Sequence, residues 1–544
     1  MFVVVGLLAL AAACLFGGVE PVEGALLLAA GLAMVGRLRP TLATAPHPRV
    51  TWGIIAGFTL YFAVAAAVLI ERDRPLGTDW MAYLKNAVAL GSDQPSLYQR
   101  WRGPVHAWAL LAATPLAGGL LEASQAVSFV AAVACVPLTG WLGLQVGGPL
   151  VGIVAAALLA GWADLRVYAV ASTPYPLVAC LSLLGTTLTL RAVERPRGWV
   201  WAGVALGLAY GTDLRAGTTA VATAVGAWRR GATRPLLGAL LLTFAIGTAA
   251  IHSLPVDLIP LREQVALQRD LNAREGLGTC PKRGNQLPTL EDLTGRCGRT
   301  TFAANLSRAS GTLPFGLEVF AALALLGLLH LRGARLLLGL PLLALAPSLL
   351  IIGVQHRYFV PLAPLLAVLG AGALVRLLGG SGAGRLGLAL VPLAVGVGWS
   401  TTPGTLWSRA NANPDPASGL DPAMSLVAAS AFVPVRTALR EAGPKDRIVD
   451  CTRADLRIRM YPHPVDTSPP TGPGELSKTC RQLASRGPTA SGTTWMLVSG
   501  ERIVRADVWQ VAFSAVDGPS ELVLLRATGR SSASESKPAG ASGR

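Results

Sequence analysis

The sequence predicts an all-α polytopic membrane protein with a small α/β domain at its C-terminal end. Three observations carry that prediction. Of 544 residues, 52% are hydrophobic and 14% are charged, against about 25% charged in an average soluble domain. About thirteen apolar runs, many near the ~20 residues a bilayer requires, fill positions 2–402. Beyond residue 420 the pattern changes to short apolar runs of strand length.

The apolar runs fall at 2–18, 22–36, 51–70, 123–144, 149–165, 175–192, 198–212, 214–228, 235–252, 314–331, 336–353, 359–377 and 385–402. Some are shorter than a straight span needs, which predicts tilted, kinked or re-entrant pieces. The first run has no basic segment before it, so it reads as a membrane helix rather than a signal peptide.

The net charge of +16 does not call for nucleic acid. Much of it is arginine in short loops, which reads as topology. Arg37, Arg39 and Arg49 separate the second and third runs. Arg191, Arg195 and Arg197, then Arg229, Arg230 and Arg234, then Arg332 and Arg335, then Arg376 and Arg385 fill later loops. Placing all of these in the cytoplasm gives a consistent alternation, with a cytoplasmic N-terminus. The alternation requires that 104–118, which holds His106 and two prolines, lie in the outer interface rather than span. The Ala/Gly/Leu/Arg bias suits a bacterial cytoplasmic membrane, with the loops 71–122 and 253–313 and everything after 403 on its outer, periplasmic face.

The cysteines agree with that layout. Cys280 and Cys297 share one outer loop, and Cys451 and Cys480 share the C-terminal part, whereas Cys14, Cys135 and Cys180 fall within apolar runs. Two pairs in an oxidising compartment predict disulfides Cys280–Cys297 and Cys451–Cys480, with unpaired thiols as the alternative. Residues 403–420 read as a Pro/Asn/Ser-rich linker, 421–528 as the small α/β domain and 529–544 as a disordered tail. Within the domain, DRIVDC, TTWMLVSG and ELVLLRAT have the look of buried strands.

The chemistry-bearing stretch is 71–106. It follows an apolar run and carries Glu71, Asp73, Asp79 and Asp93 beside Arg100, Arg102 and His106, with Trp80, Tyr83, Tyr98 and Trp101 among them. Carboxylates and amphipathic aromatics at the end of a span belong at the interface. Other outer loops add Asp164, Arg166, Tyr168 and Tyr175; Asp213 and Arg215 in the tight turn GTDLRA; His252, Asp257, Arg262 and Glu263; and Gln355, His356, Arg357 and Tyr358. Ionisable groups at one depth of a membrane protein point to function, although any single arginine can simply snorkel. A positioned carboxylate serves as a general base, and Arg and His groups bind a phosphate leaving group. At a membrane, that phosphate belongs to a lipid. Glu71-Arg72-Asp73 leaves a divalent metal possible, with a solvated loop as the plainer reading.

Several segments resemble a known family. GTDWMAYLKNAVALGSDQPSLY resembles the first outer loop of GT-C glycosyltransferases, and RWRGPVHAWALL is similar to the proline-containing helix that follows it in family 39 members. Those members include protein O-mannosyltransferases, the aminoarabinose transferase of lipid A and the Rgt-type lipopolysaccharide sugar transferases. WVWAGVALGLAYGTDLRAGTTAVATAVG resembles their Gly-rich hairpin, and QHRYFVPLAPLLAVLGAGAL their late RY helix. The order of the segments holds over roughly residues 50–400.

The resemblance implies the GT-C fold and transfer of a sugar from a polyprenyl-phosphate donor to a lipid, glycan or protein acceptor. It implies Asp79 as catalytic base and places Arg357 and Tyr358, and with them Arg215, near the lipid phosphate. Arg102, His106 and His356 join them as expected phosphate ligands, and Tyr83, Asp164, Tyr175 and Asp213 as expected substrate contacts. This chain departs from the usual pattern in having Asp79-Trp80 for Asp-Glu and Arg102-Gly103-Pro104 for Lys-Pro-Pro. Two other functions fit the pattern: a transporter or flippase for a lipid-linked sugar, and a non-catalytic scaffold that presents the C-terminal domain.

Overall fold

The computed structural model describes residues 48–67, 78–91, 102–171, 173–194, 198–228, 233–254, 335–343, 360–378, 446–451, 465–467, 478–486, 493–499, 509–517 and 520–528, with Tyr98 and a few other single positions between them. The expected runs 2–18, 22–36 and 385–402, and most of 314–331, lie outside these residues. So do Glu71, Asp73, Cys280, Cys297, His356, Arg357 and Tyr358. The chain divides into two units, Met1–Ile70 with Ala82–Ala117 and Glu122–Asn413, and Glu71–Met81 with Gly118–Leu121 and Pro414–Arg544.

The described helices of the first part of the chain are α1 (Pro48–Ala67), α2 (Thr78–Gly91), α3 (Pro104–Ala117), α4 (Leu120–Gly147), α5 (Pro149–Ala160), α6 (Ala163–Val170), α7 (Tyr175–Glu194), α8 (Trp199–Thr212), α9 (Ala216–Trp228), α10 (Thr233–His252), α11 (Arg335–Leu343) and α12 (Ala363–Leu378). Helices α1, α4 and α7 contain stretches long and apolar enough to cross a membrane, and α5, α10 and α12 contain shorter apolar ones. This is a mostly helical membrane protein. Exposed Leu60, Val64, Val130, Trp201, Leu237 and Leu241 suit helix faces turned to lipid rather than water. Helix α3, 14 residues long, extends about 21 Å, short of a ~30 Å hydrocarbon core.

One element differs from the sequence expectation. The run 149–165 is not a single helix. Helix α5 stops at Ala160, where Gly161 donates its N–H to the Ala157 carbonyl and Trp162 donates its own to Leu159, and α6 starts afresh at Ala163. A segment expected as loop is therefore helical, and it stops short of Pro174, which cannot supply a helical N–H.

Among the described residues, α8 packs closely on α10. Gly203, Gly207 and Gly211 recur every fourth residue, so they share one face of α8. A Cβ added at Gly203 would lie 2.8 Å from the Ala239 carbonyl oxygen, and one at Gly207 2.8 Å from the Ile246 Cβ. Small residues at this spacing let two backbones approach without a hydrophobic driving force between helices in lipid.

The second unit contains a five-stranded sheet in the order β2-β1-β3-β5-β4. Its strands are β1 (Arg447–Asp450), β2 (Val465–Thr467), β3 (Thr493–Ser499), β4 (Gln510–Asp517) and β5 (Ser520–Thr528), with helix α13 (Lys478–Arg486) between β2 and β3. β1 runs parallel to β2 and β3, while β5 is antiparallel to β3 and β4. Alternation along the strands splits the core in two. Ile448, Trp495, Leu497 and Leu524 pack with Val435 and Leu439. Val449, Met496, Val498 and Leu525 pack with Cys451, Cys480 and Trp509. The Cys451–Cys480 disulfide joins the end of β1 to α13.

Candidate functional site

The site is assembled from four segments of the helical unit. Helix α2 contributes Tyr83, the 98–106 segment contributes Tyr98, Arg102 and His106, the start of α7 contributes Tyr175, and the turn between α8 and α9 contributes Asp213 and Arg215. The Tyr83 and Tyr175 hydroxyls lie 3.2 Å apart. Their rings meet edge to face at 6.4 Å, and Tyr168 meets Tyr175 in the same way at 6.3 Å. Two guanidinium groups flank the tyrosine pair. Arg102 lies 3.5 Å from the Tyr83 ring centroid and Arg215 5.9 Å from that of Tyr175, both within cation–π range.

Backbone geometry holds Arg102 in place. Tyr98 donates its hydroxyl to the Arg102 carbonyl at 2.8 Å. The next residue, Gly103, lies so close to the end of α8 that a Cβ there would collide with the carbonyl oxygen of Gly211. Reciprocally, a Cβ on Gly211 would meet Val105 at 2.7 Å. Glycine at both positions therefore brings the Arg102 loop against the helix end that leads into the Asp213–Arg215 turn. In that turn Arg215 donates its backbone N–H and Nε to Asp213 Oδ1, at 2.9 and 3.0 Å, and its Nη2 to Oδ2 at 2.6 Å.

The electrostatics assign different parts to these groups. Burial pushes the Tyr83 hydroxyl up against the opposing pull of Arg102, so it remains a neutral phenol that can donate. Burial, reinforced by the Arg102 charge, lowers His106 to about 3. Its imidazole is neutral at physiological pH, so it meets a phosphate as a neutral hydrogen-bonding group. Burial alone would raise Asp213, but the charge and hydrogen bonds of Arg215 outweigh it and leave the carboxyl below its ordinary value. Arg102, Arg215 and ionised Asp213 leave one net positive charge among neutral hydroxyls and an imidazole. That combination suits a phosphate oxygen cluster.

Tyr83, Arg102, His106, Tyr175, Asp213 and Arg215 are thus neighbours. Asp79 falls in the first turn of α2, four residues before Tyr83, and Asp164 in the first turn of α6; their side chains lie outside the described set. Among the described residues, no group of three His, Cys, Asp or Glu side chains is arranged to hold a metal ion. The sequence reading missed the close approach of Gly103 to Gly211 and the buried hydroxyls of Ser124 and Thr173. The glycines do carry a signal, since each stands beside a polar turn residue.

No family model matches the sequence, and no curated protein matches it. Solved structures do match. ArnT from Cupriavidus metallidurans bound to undecaprenyl phosphate aligns with a TM-score of 0.54 at 14% identity, over 87% of this chain and 98% of that one. The apo state of the same protein aligns with a TM-score of 0.51 at 15% identity, over the same shares. The chain has the GT-C fold. The alignment takes in nearly all of ArnT, so the GT-C likeness covers a whole protein rather than a shared helical hairpin. At this identity the likeness is one of fold, and the chemistry rests on this chain's own side chains.

Proposed function

We propose that this protein is a GT-C membrane glycosyltransferase that moves a sugar from a polyprenyl-phosphate donor to an acceptor hydroxyl or amine. The observation that carries this reading is the pair of guanidinium groups, Arg102 against the Tyr83 ring and Arg215 near the Tyr175 ring, beside the Tyr83–Tyr175 hydroxyl pair. Four segments distant in sequence supply these groups, in the fold of a protein solved with undecaprenyl phosphate bound. The guanidinium groups and the tyrosine hydroxyls hold the donor phosphate and stabilise the charge that grows on it.

Asp79 is the general base, a role that rests on its motif in the first outer loop. It takes the proton from the acceptor O–H or N–H as the acceptor attacks the anomeric carbon. The bond from that carbon to the phosphate oxygen breaks, and prenyl phosphate leaves with the electron pair. Arg357, Tyr358 and His356 add donor contacts, and Asp164 lies on the acceptor side. The acceptor is a lipid, glycan or protein outside the bacterial cytoplasmic membrane.

The test is direct. Purified protein in nanodiscs binds undecaprenyl phosphate, and Arg102→Ala weakens that binding at least tenfold. Asp79→Asn binds it as the wild type does but loses transfer, because the carboxylate acts in the transition state. Turnover retained by Asp79→Asn removes the assignment of the base, and absence of prenyl-phosphate binding removes the transferase reading.

A further inference from the structure

Most hydroxyls inside this helical unit are satisfied locally. Thr114, Thr139, Thr187 and Thr189 each donate to the carbonyl four residues earlier, at 2.7 Å. This is the usual way for a helix to absorb a hydroxyl in lipid. The habit fails at Thr51 on α1 and Ser182 on α7, and it fails repeatedly near the tyrosine pair. Ser128 donates instead across to the Thr173 carbonyl at 3.1 Å. Thr173 Oγ1 and Ser124 Oγ are buried and meet no hydrogen-bond partner among the described residues, and the same holds for His106 Nε2. All three side chains are deeply buried: Thr173 and His106 are 2% exposed and Ser124 0%.

A chain of contacts leads from these residues to the phosphate-binding groups. Ser124 precedes Ser128 by four residues, so the two lie on one face of α4, a turn apart. Ser128 touches the 173 backbone, which leads in two residues to Tyr175. Tyr175 touches Tyr83, whose ring meets His106 edge to face at 5.7 Å. A buried polar atom without a partner costs about 1–3 kcal/mol, and native structures normally fill such places with water or a ligand. The groups left unmatched are two hydroxyls and an imidazole nitrogen, and the net positive charge of Arg102, Asp213 and Arg215 beside them disfavours an ammonium group. They suit a group that presents several neutral donors and acceptors beside aromatic rings.

We infer that Ser124, Thr173 and His106 form a sugar-hydroxyl subsite, which selects a donor whose sugar is a neutral polyol rather than an amino sugar. The inference rests on the transferase reading above and deepens it. Hydroxyls of the donor sugar take the positions that the three orphaned atoms face, while its phosphate lies against Arg102 and Arg215. A site that hydrogen-bonds hydroxyls discriminates strongly against an analogue lacking them, because its own polar groups are then left unmatched.

The experiment compares affinities of the full-length protein in nanodiscs for a short-chain prenyl phosphate and for the same phosphate carrying glucose, mannose, galactose or 4-amino-4-deoxyarabinose. At least one neutral sugar is expected to tighten binding tenfold or more over bare phosphate, and the amino sugar to add little. Thr173→Val and Ser124→Ala, which remove the hydroxyl with little change in volume, are expected to erase most of that gain and leave bare phosphate binding unchanged. The inference is overturned if bare phosphate binds but no neutral sugar adds affinity, or if the gain survives in both variants, in which case the atoms face only water. It is also overturned if the amino sugar binds tightest. If bare prenyl phosphate does not bind at all, the transferase reading falls and takes the subsite with it.

Discussion

Gly103→Ala tests the assembly of the site through a single methyl group. The added Cβ would fall against the Gly211 carbonyl oxygen, 2.7 Å from its carbon and 2.9 Å from the Thr212 carbonyl oxygen. Non-bonded carbons rest at about 3.5–4.0 Å, so the two backbones must part by roughly 1 Å. Every atom met is backbone, which no rotamer change can clear. The stability cost belongs at the upper end of the ~1–3 kcal/mol typical of overpacking. The same displacement carries Arg102 off the Tyr83 ring, and a misplacement of about 1 Å in a positioning group can cost on the order of 10²-fold in rate. The control is Gly53→Ala on α1, where a Cβ meets nothing within 4 Å and helix propensity favours alanine by up to ~1 kcal/mol. Both variants are followed by thermal unfolding in detergent and by donor turnover. If Gly103→Ala unfolds and turns over like Gly53→Ala, the close approach of the two backbones is refuted.

The remaining predictions concern charge, the aromatic brace and the sheet unit. His106 has its folded pKa depressed from 6.5 to about 3, so between those values the unfolded chain binds the extra proton and stability falls as pH drops. The loss is about 2 kcal/mol by pH 5, and urea titrations of His106→Gln should lack this slope between pH 6.5 and 5. Asp213 also has a depressed folded pKa, but as an acid it stabilises above its unfolded value near 3.8, and that contribution is lost as pH falls through its folded value. With Arg215 38% exposed, Asp213→Asn should cost no more than about 1 kcal/mol at pH 7, read from the same titrations. Tyr83→Leu removes both the hydroxyl and the ring beneath Arg102 and should weaken prenyl-phosphate binding more than Tyr83→Phe, which keeps the ring and loses only the hydroxyl; isothermal titration distinguishes the two. Cys451→Ser opens a loop of 29 residues and should destabilise the sheet unit by about 3–4 kcal/mol, seen as faster proteolysis within residues 446–528.

The helical part of the fold was legible because lipid-crossing segments announce themselves by length and apolarity alone. The runs at 51–70, 123–144 and 175–192 correspond to α1, α4 and α7. The break between α5 and α6 was not legible, since Gly161-Trp162 inside an apolar run gives no stronger signal than many glycines that stay helical. In the sheet unit, β1, β3 and β5 coincide with continuous apolar runs. β4 lies at the sheet edge with Val511 63% exposed, and its mixed pattern QVAFSAVD hides it.

The site was legible as an inventory rather than as a geometry. Tyr83, Arg102, His106, Tyr175, Asp213 and Arg215 stood out because polar groups at the ends of apolar runs are rare. The pairing of Asp213 with Arg215, the stacking of Arg102 on Tyr83 and the neutrality of His106 depend on which segments touch, and sequence spacing does not encode that. Ser124 and Thr173 stayed hidden for a different reason. A hydroxyl inside a helix, like that of Ser124, ordinarily satisfies itself, and one in a turn, like that of Thr173, ordinarily meets water, so only a structure reveals the ones that do neither.

The glycine face of α8 has a consequence for how this protein can change. A seam closed by side chains can be retuned by exchanging one residue for another of similar volume. The seam at Gly203, Gly207 and Gly211 has no side chain on α8 to exchange, since any substitution adds atoms within 2.8 Å of the Ala239 carbonyl oxygen, the Ile246 side chain or the Val105 side chain. The α8–α10 pair therefore serves as a fixed datum, and the Asp213–Arg215 turn inherits its constancy. Variation in what the protein accepts must come from segments not pinned to that datum, chiefly the first turns of α4 and the 171–175 turn. A mutational library directed there would explore substrate choice, and one directed at α8 would mostly return proteins that fail to assemble.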